Sequence, residues 1–260
     1  MLNYMCRHID KTLVEWKNNP FHKPLLLRGA RQVGKSSAVR HFSEQFEYFA
    51  EVNFERDKDF STFFRGSLDV RLICSKLSNF LQVPIVAGKT LLFFDEIQSC
   101  PEAIMALRFF KEDYPELHVV AAGSLLEFAL QGLPTFGVGR IHSVFMYPMT
   151  FDEFVMANGM EGLLSARNLA DFSHPLDEAF HDKLVEQFRL YLLVGGMPEA
   201  VAMWKTTSDL LQCQRIHDDI MLTYEDDFSK YSRRVSPELL RLALHGVCHQ
   251  IGKKLTYSRI

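Results

Sequence analysis

The sequence predicts an α/β fold, a parallel sheet flanked by helices and followed by a smaller all-helical region. Three observations carry this. Short apolar runs alternate with helical periods between residues 20 and 150, the run TLLFFDE (90–96) is continuous enough for a strand buried on both faces, and no strand pattern recurs after Pro148. At 260 residues and 47% hydrophobic, the chain can bury a sizeable core.

The elements follow in order. Leu2, Met5, Ile9, Leu13 and Trp16 fall at helical spacing and predict an amphipathic helix over 2–17, ahead of the core rather than part of it and ended before Pro20. PLLLRGA is an apolar run that closes on glycine, and GKSSAVRHFSEQF then sets Val39, Phe42 and Phe46 on one side, giving strand, loop and helix. FAEVNFE (49–55) alternates like a strand, and DVRLICSKLSNFL (69–81) has helical spacing. After TLLFFDE come a helix from Pro101 to Lys111 and two further strands, LHVVAAGS (117–124) and IHSVFMYP (141–148). Crossovers of this length are right-handed and build a parallel sheet. Helical periods then cover 150–159, 177–194, 207–231 and 236–252, and the glycines and proline of VGGMPEAV (194–201) predict a tight turn between helices. The 22 phenylalanines follow these periods and are assigned to the core. The organisation expected is an N-terminal helix (1–19), an α/β core (20–149), a helical lid-like region (150–235) and a last segment (236–260).

Charge and composition exclude several classes. Lys plus Arg at 29 against Asp plus Glu at 32 leaves a net charge of −3, so no global basic field supports nucleic acid as a partner. Cys6, Cys74, Cys100, Cys213 and Cys248 are scattered without a CxxC pair and are expected as reduced thiols. The N-terminus mixes charges and is no signal peptide, and no stretch approaches the roughly 20 apolar residues of a membrane span. A cytoplasmic protein without a membrane partner is expected.

The most informative stretch is RGARQVGKSS. Gly29, Ala30, Arg31, Gln32, Val33, Gly34, Lys35 and Ser36 satisfy G-x-x-x-x-G-K-[ST], the phosphate-loop (Walker A) pattern, with Ser37 beside it. The glycines let the backbone curl so that successive N–H groups point at phosphate oxygens. Lys35 is expected to neutralise the β and γ phosphates of ATP, and the Ser36 hydroxyl to bind Mg²⁺. The helix starting near Lys35 adds its positive end. Sixty residues on, LLFFDE ends a buried strand in Asp95 and Glu96, at the sheet edge where ligands of open α/β sheets bind. Asp95 fits the second Mg²⁺ ligand and Glu96 a general base that polarises an attacking water. A kinase acting on a small molecule uses its acceptor hydroxyl as nucleophile and needs no such glutamate, so hydrolysis is favoured over phosphoryl transfer.

Five stretches, LLLRGARQVGKSS, LLFFDEIQ, AAGSLLEF, GRIHSVFMYPMTFDEF and YLLVGGMPEAV, together resemble the prokaryotic AAA-type ATPases that carry a C-terminal domain of unknown function, relatives of archaeal and signal-transduction P-loop ATPases. The resemblance spans nearly the whole chain. It implies a P-loop NTPase core in which the HVVAAGS strand lies between the phosphate-loop strand and the strand of Asp95. It also gives Ser124 a sensor position, with an N-cap for the LLEFAL helix as the alternative. Asn53 matches a strand-end residue that in some relatives holds the catalytic glutamate, a turn residue being the other reading. Arg140 matches an arginine that could act as an arginine finger, in its own subunit or a neighbour's, or else be a surface arginine or a structural pair to Glu153. Arg28 and Arg31 could touch phosphate or be salt-bridged spectators. Relatives continue through a winged-helix-like segment, so a C-terminally truncated chain is expected, with 236–260 the start of that segment.

Other constellations carry less. His217, Asp218 and Asp219 in IHDDIM lie on different helix faces without a second histidine at ligand spacing. Arg233 and Arg234 are too few to argue for DNA. GVGR lacks the rest of a dinucleotide fingerprint. The function expected is Mg²⁺-dependent ATP hydrolysis coupled to a conformational change or partner interaction, a homo-oligomer or a protein partner being open. A slow nucleotide-gated switch, acting through a missing C-terminal domain, is the alternative.

Overall fold

Five parallel strands form the sheet: β1 (Leu25–Arg28), β2 (Tyr48–Asn53), β3 (Thr90–Asp95), β4 (His118–Ala122) and β5 (His142–Phe145), in the order β2-β3-β4-β1-β5. The computed structural model describes residues 4–124, 126, 139–228 and 235–252. β4 lies between β1 and β3, with Leu26 opposite Ala121 and Phe94 opposite Ala121 on its other side, which is the order that the resemblance implies. Every residue of β3 and β4 is buried, as continuous apolar runs require of central strands.

The period of two divides the core. Leu26, Val52, Leu92, Phe94, Val119 and Ala121 face one way and pack with α3 (Val70–Leu81) and α4 (Pro101–Asp113). Leu25, Leu27, Leu91, Phe93, Val120 and Ala122 face the other way, against α2 (Lys35–Ser43) and α1 (His8–Asn18). Here the structure corrects the sequence reading of the N-terminus. The helix starts at His8 rather than Leu2, because Asp10 closes a capping box on the Arg7 backbone. Far from preceding the core, Ile9, Leu13 and Trp16 are buried in it, and the Trp16 indole N–H donates to Lys23 O at 2.7 Å.

Beyond the sheet come α5 (Phe151–Ala157), α6 (Glu161–Leu169), α7 (Glu178–Val194), α8 (Pro198–Thr207), α9 (Leu210–Phe228) and α10 (Pro237–His249). α6 and α8 have no counterpart in the periodicity reading, nor has the 3-10 turn Lys58–Phe64. The turn predicted at VGGMPEAV is present: Gly195, at φ +69, caps α7, and Met149 N–H donates to Gly196 O. The chain divides into two compact units, Met1–Pro198 and Glu199–Ile260. Within the second, Cys213 Sγ lies 3.5 Å from Ala200 O, Ile216 and Ile220 are buried, and α10 has no buried residue.

The phenylalanine assignment holds at Phe54, Phe64, Phe93, Phe94 and Phe110, whereas Phe21 and Phe172 are exposed outside any element. All five cysteines are free thiols. The LLEFAL segment apart from Leu126, the Arg233–Arg234 pair and the closing KLTYSRI lie outside the described residues.

One polar group sits in this core at a cost. His118, at the start of β4, stacks on His22 with ring centroids 4.1 Å apart, and Trp16 meets both rings edge-on. Its Nε2 lies 3.2 Å from Lys17 O, which makes Nε2 the protonated nitrogen, and Nδ1 is buried without a partner. Burial, then the neighbouring His22, hold its pKa down at about 4, from 6.5. The unfolded chain therefore takes up this proton first. Stability contributed by neutral His118 is complete above pH 6.5 and is lost as the pH falls from there toward 4. The slope approaches about 1.4 kcal/mol per pH unit in that window. Urea unfolding between pH 7.5 and 4.5 checks it, and His118→Leu should remove that component of the slope.

Candidate active site

β1 ends at Arg28 and α2 begins at Lys35, so the loop GARQVG stands at the carboxyl edge of the sheet. Glycine is required twice. A Cβ on Gly29 would lie 2.1 Å from the Met146 carbonyl oxygen, and Gly34 caps α2 in the left-handed region at φ +94. Gln32 is left-handed as well, at φ +63. The first N–H groups of a helix have no intrahelical partner, so this loop directs donors and the positive helix end outward. Ala30, Gln32 and Ser37 are exposed along it, and Val33 is buried.

Lys35 is buried, and its ammonium donates to two loop carbonyls, Gly29 O at 3.0 Å and Ala30 O at 2.6 Å. Burial pushes its pKa down, and the Glu96 and Asp95 carboxylates oppose that shift. Ser36 Oγ donates to Asp95 Oδ1 at 2.9 Å, although the two residues are 59 positions apart. Asp95 is 4% exposed. Burial pushes its carboxyl up, with the Ser36 hydrogen bond acting against that shift. The backbone N–H of Glu96 donates to Oδ1, and the Arg40 guanidinium, paired mainly with Glu51, comes within 3.7 Å of Oδ2.

A serine hydroxyl bonded to a buried carboxylate beside a phosphate loop is a donor set for a hard, oxygen-seeking cation. Among the described residues no group of three or more His, Cys, Asp or Glu could hold a metal. Mg²⁺ commonly takes only one or two protein carboxylates, with phosphate oxygens completing its shell, so the Ser36–Asp95 pair fits it. IHDDIM forms no such group either.

Glu96 follows Asp95 in the left-handed region, at φ +50, a strained setting for a residue with a Cβ. Of the two readings of Asn53, a hold on this glutamate and a turn residue, the geometry fits the second: Asn53 Oδ1 accepts from the N–H groups of Glu55 and Arg56, and its Nδ2 donates to Asp95 Oδ2 at 3.2 Å. Because Asn53 stands opposite Asp95 in the register, its short side chain stops at that carboxylate. The residue bonded to Glu96 is Gln98, whose Nε2 donates to Oε2 at 2.6 Å. It stands in the quoted LLFFDEIQ, where its side chain had been given no role.

Ser124 lies just past β4 at the same sheet edge, 1% exposed, and its Oγ has no hydrogen-bond partner among the described residues. Arg28 stacks its guanidinium over the Phe145 ring, and Arg31 carries a like charge near Lys35. Arg140 is elsewhere. It precedes β5, whose first residue pairs with Leu25 at the start of β1, so it belongs to the amino edge, opposite the phosphate loop. There it ion-pairs with Glu112 rather than with Glu153. Within one chain the structure thus gathers Lys35, Ser36, Asp95, Glu96 and Ser124 at one edge and leaves Arg140 at the other.

Glu153 has a different partner, which no feature of the sequence marked. The Arg7 Nε lies 3.1 Å from Glu153 Oε1, with both side chains buried. The same guanidinium donates to Val33 O in the loop at 2.9 Å and to Tyr147 O beyond β5 at 2.7 Å. Burial alone would raise the Glu153 pKa, but N–H donors from His8 and Thr150, with Arg7, hold it below the usual range.

Comparison with known proteins agrees with this geometry. A family model described as an AAA domain matches residues 21–155, just over half of the chain, and a domain of unknown function, DUF8612, matches 185–260. The chain belongs to the AAA-domain family. Its C-terminal part falls in a domain of unknown function, and its fold is that of a P-loop NTPase. Among solved structures it is similar to the Walker-type ATPase PABY2304 of Pyrococcus abyssi, 18% identical over 99% of this chain and 87% of that one, with a TM-score of 0.53. C. elegans PCH-2 follows at 15% identity, 80% and 65% coverage and a TM-score of 0.42. The Aeropyrum pernix ORC1 protein, solved with DNA, follows at 14%, 95% and 71%, and 0.41. At such identities the likeness is one of fold, and only the first exceeds 0.5. No curated protein sequence matches the chain. None of the described helices of this AAA-domain protein is long and apolar enough to cross a membrane.

The Arg7 contacts are open to a direct test. Arg7→Met strands the buried Glu153 carboxylate and frees the Val33 and Tyr147 carbonyls. Breaking a buried pair from one side should lower unfolding stability by about 3 to 5 kcal/mol. Urea denaturation reads the loss, and Arg7→Met/Glu153→Gln should recover part of it.

Proposed function

We propose that this chain binds ATP with Mg²⁺ and hydrolyses it, and that the nucleotide state is coupled to a rearrangement or to a partner. The observation that carries the reading is the Ser36–Asp95 hydrogen bond at 2.9 Å beside the Lys35 ammonium. Lys35 would exchange its two loop carbonyls for phosphate oxygens, and the loop N–H groups would cradle the β phosphate. Ser36 and Asp95 would hold Mg²⁺, which would supply positive charge against that of the phosphates. Glu96 would accept the proton of the attacking water, and Ser124, buried with an unused hydroxyl, would donate to the γ phosphate. Those roles, and the loop contacts of Gly29 to Ser37, are this reading's assignments.

A second reading, a slow nucleotide-gated switch, is favoured by the place of Arg140. Without an arginine at the developing charge, intrinsic hydrolysis can be as slow as about 10⁻⁴ s⁻¹. In this proposal Arg140 leaves Glu112 and serves the site of a neighbouring copy, since its own loop is at the far sheet edge.

Two measurements follow. Phosphate release from Mg·ATP should be abolished by Lys35→Ala and by Glu96→Gln, with Glu96→Gln still binding ATP; binding without release by the wild type would favour the switch. If Arg140 serves a neighbour, specific activity should rise steeply with protein concentration. A flat profile over about a hundredfold dilution would sink that role.

A further inference from the structure

Glu96 is the group on which the hydrolysis reading rests, and its own segment gives it little guidance. It sits at the left-handed start of the short 3-10 turn Ile97–Ser99, half-exposed, on a flexible side chain. Ordering such a side chain costs up to about 2 kcal/mol. What orders it is Gln98. Ile97 and Cys100 are buried on either side and fix the turn, so the Gln98 amide is presented from a rigid base.

The amide is clamped at both ends. Its nitrogen donates to Glu96 Oε2 at 2.6 Å, and its oxygen is buried against Gly123 with no hydrogen-bond partner among the described residues. A Cβ at position 123 would stand 2.2 Å from that oxygen, so the seat exists only because residue 123 is glycine. Flipping the amide would turn its oxygen on the carboxylate, which fixes the assignment. A buried acceptor left unsatisfied costs about 1 to 3 kcal/mol. The arrangement is kept in spite of that cost, next to a backbone already strained at Glu96.

We propose that Gln98, seated on Gly123, is the positioning residue for Glu96: it holds the carboxylate in the one orientation from which Oε1 meets the attacking water. The inference rests on the hydrolysis reading and assigns to Gln98 the hold that the family resemblance offered as one reading of Asn53. Gln98 touches no reacting atom and acts through Glu96 alone.

The test is steady-state hydrolysis of Mg·ATP, with ATP binding and thermal unfolding, on the wild type, Gln98→Met, Gly123→Ala, Glu96→Gln and Glu96→Gln/Gln98→Met. Methionine keeps the volume and removes the donor; alanine at 123 leaves Gln98 intact and evicts its oxygen. Each single change at 98 or 123 should lower kcat about 10- to 100-fold, the scale of a misplaced catalytic group. KM and ATP affinity should stay within about twofold of wild type. In the Glu96→Gln background, where turnover is already lost, Gln98→Met should leave ATP affinity unchanged, because Gln98 acts through Glu96 alone. Unchanged kcat in a folded Gln98→Met protein overturns the proposal and leaves the hydrolysis reading standing. A loss of ATP affinity from Gln98→Met in both backgrounds also overturns it, by showing an effect independent of Glu96. If Gln98→Met fails to fold, Gly123→Ala decides by the same kcat criterion. A wild type that binds ATP and never turns it over overturns both readings.

Discussion

The hydrogen bond between Ser36 and Asp95 joins the first turn of α2 to the tip of β3, across an intervening strand. Asp95 is nearly buried, and a carboxylate in that position is costly unless its oxygens are satisfied. Ser36 and the Glu96 N–H serve one oxygen, and Asn53 serves the other. The partners come from three chain segments that meet only if β2, β3 and β1 keep their register. That register depends on two-sided burial of β3: Phe93 and Phe94 enter opposite cores, and a slip by one residue would exchange them and turn Asp95 away. The sheet and the site are therefore one problem of packing.

A second constraint ties the loop to what precedes and follows it. Arg7 distributes its guanidinium over Val33, Tyr147 and Glu153, so the entry to α1, the phosphate loop and the entry to α5 share one buried charge. Val33 lies between the two glycines whose conformations shape the loop. A displacement of the loop backbone must stretch the Arg7 contact or carry α1 and α5 with it. In physical terms this is how occupancy of the loop could reach the helices of the first unit, through a short set of bonds rather than through the sheet.

Legibility followed the range of the determining interactions. The glycines and Lys35 and the acids ending β3 were readable, because each rests on local backbone demands or on continuous burial, whereas the place of β4 between β1 and β3 came from the family resemblance alone. Arg7 was not, since its partners are 26, 140 and 146 residues away and its neighbours show no pattern. The N-terminal helix was readable as a helix, but amphipathicity alone does not say which surface it covers, so its burial was missed. Asn53 and Gln98 show the same limit at close range. Asn53 had been offered as one partner for Glu96 and Gln98 had not, and the left-handed turn at Glu96 brings its side chain to the second.

The charge balance also reads differently once the site is located. A chain of net charge −3 repels a polyanion at long range, yet salt screens such fields within about 8 to 10 Å. In the proposed site a phosphate group would meet Lys35, the start of α2 and Arg31, with Asp95 and Glu96 beyond one intervening strand. The carboxylates raise the Lys35 pKa against its burial, and so help keep it charged for the anion. Attraction here is local and depends on geometry, which is why the global charge gave no support to an extended nucleic-acid surface and yet does not weigh against a nucleotide.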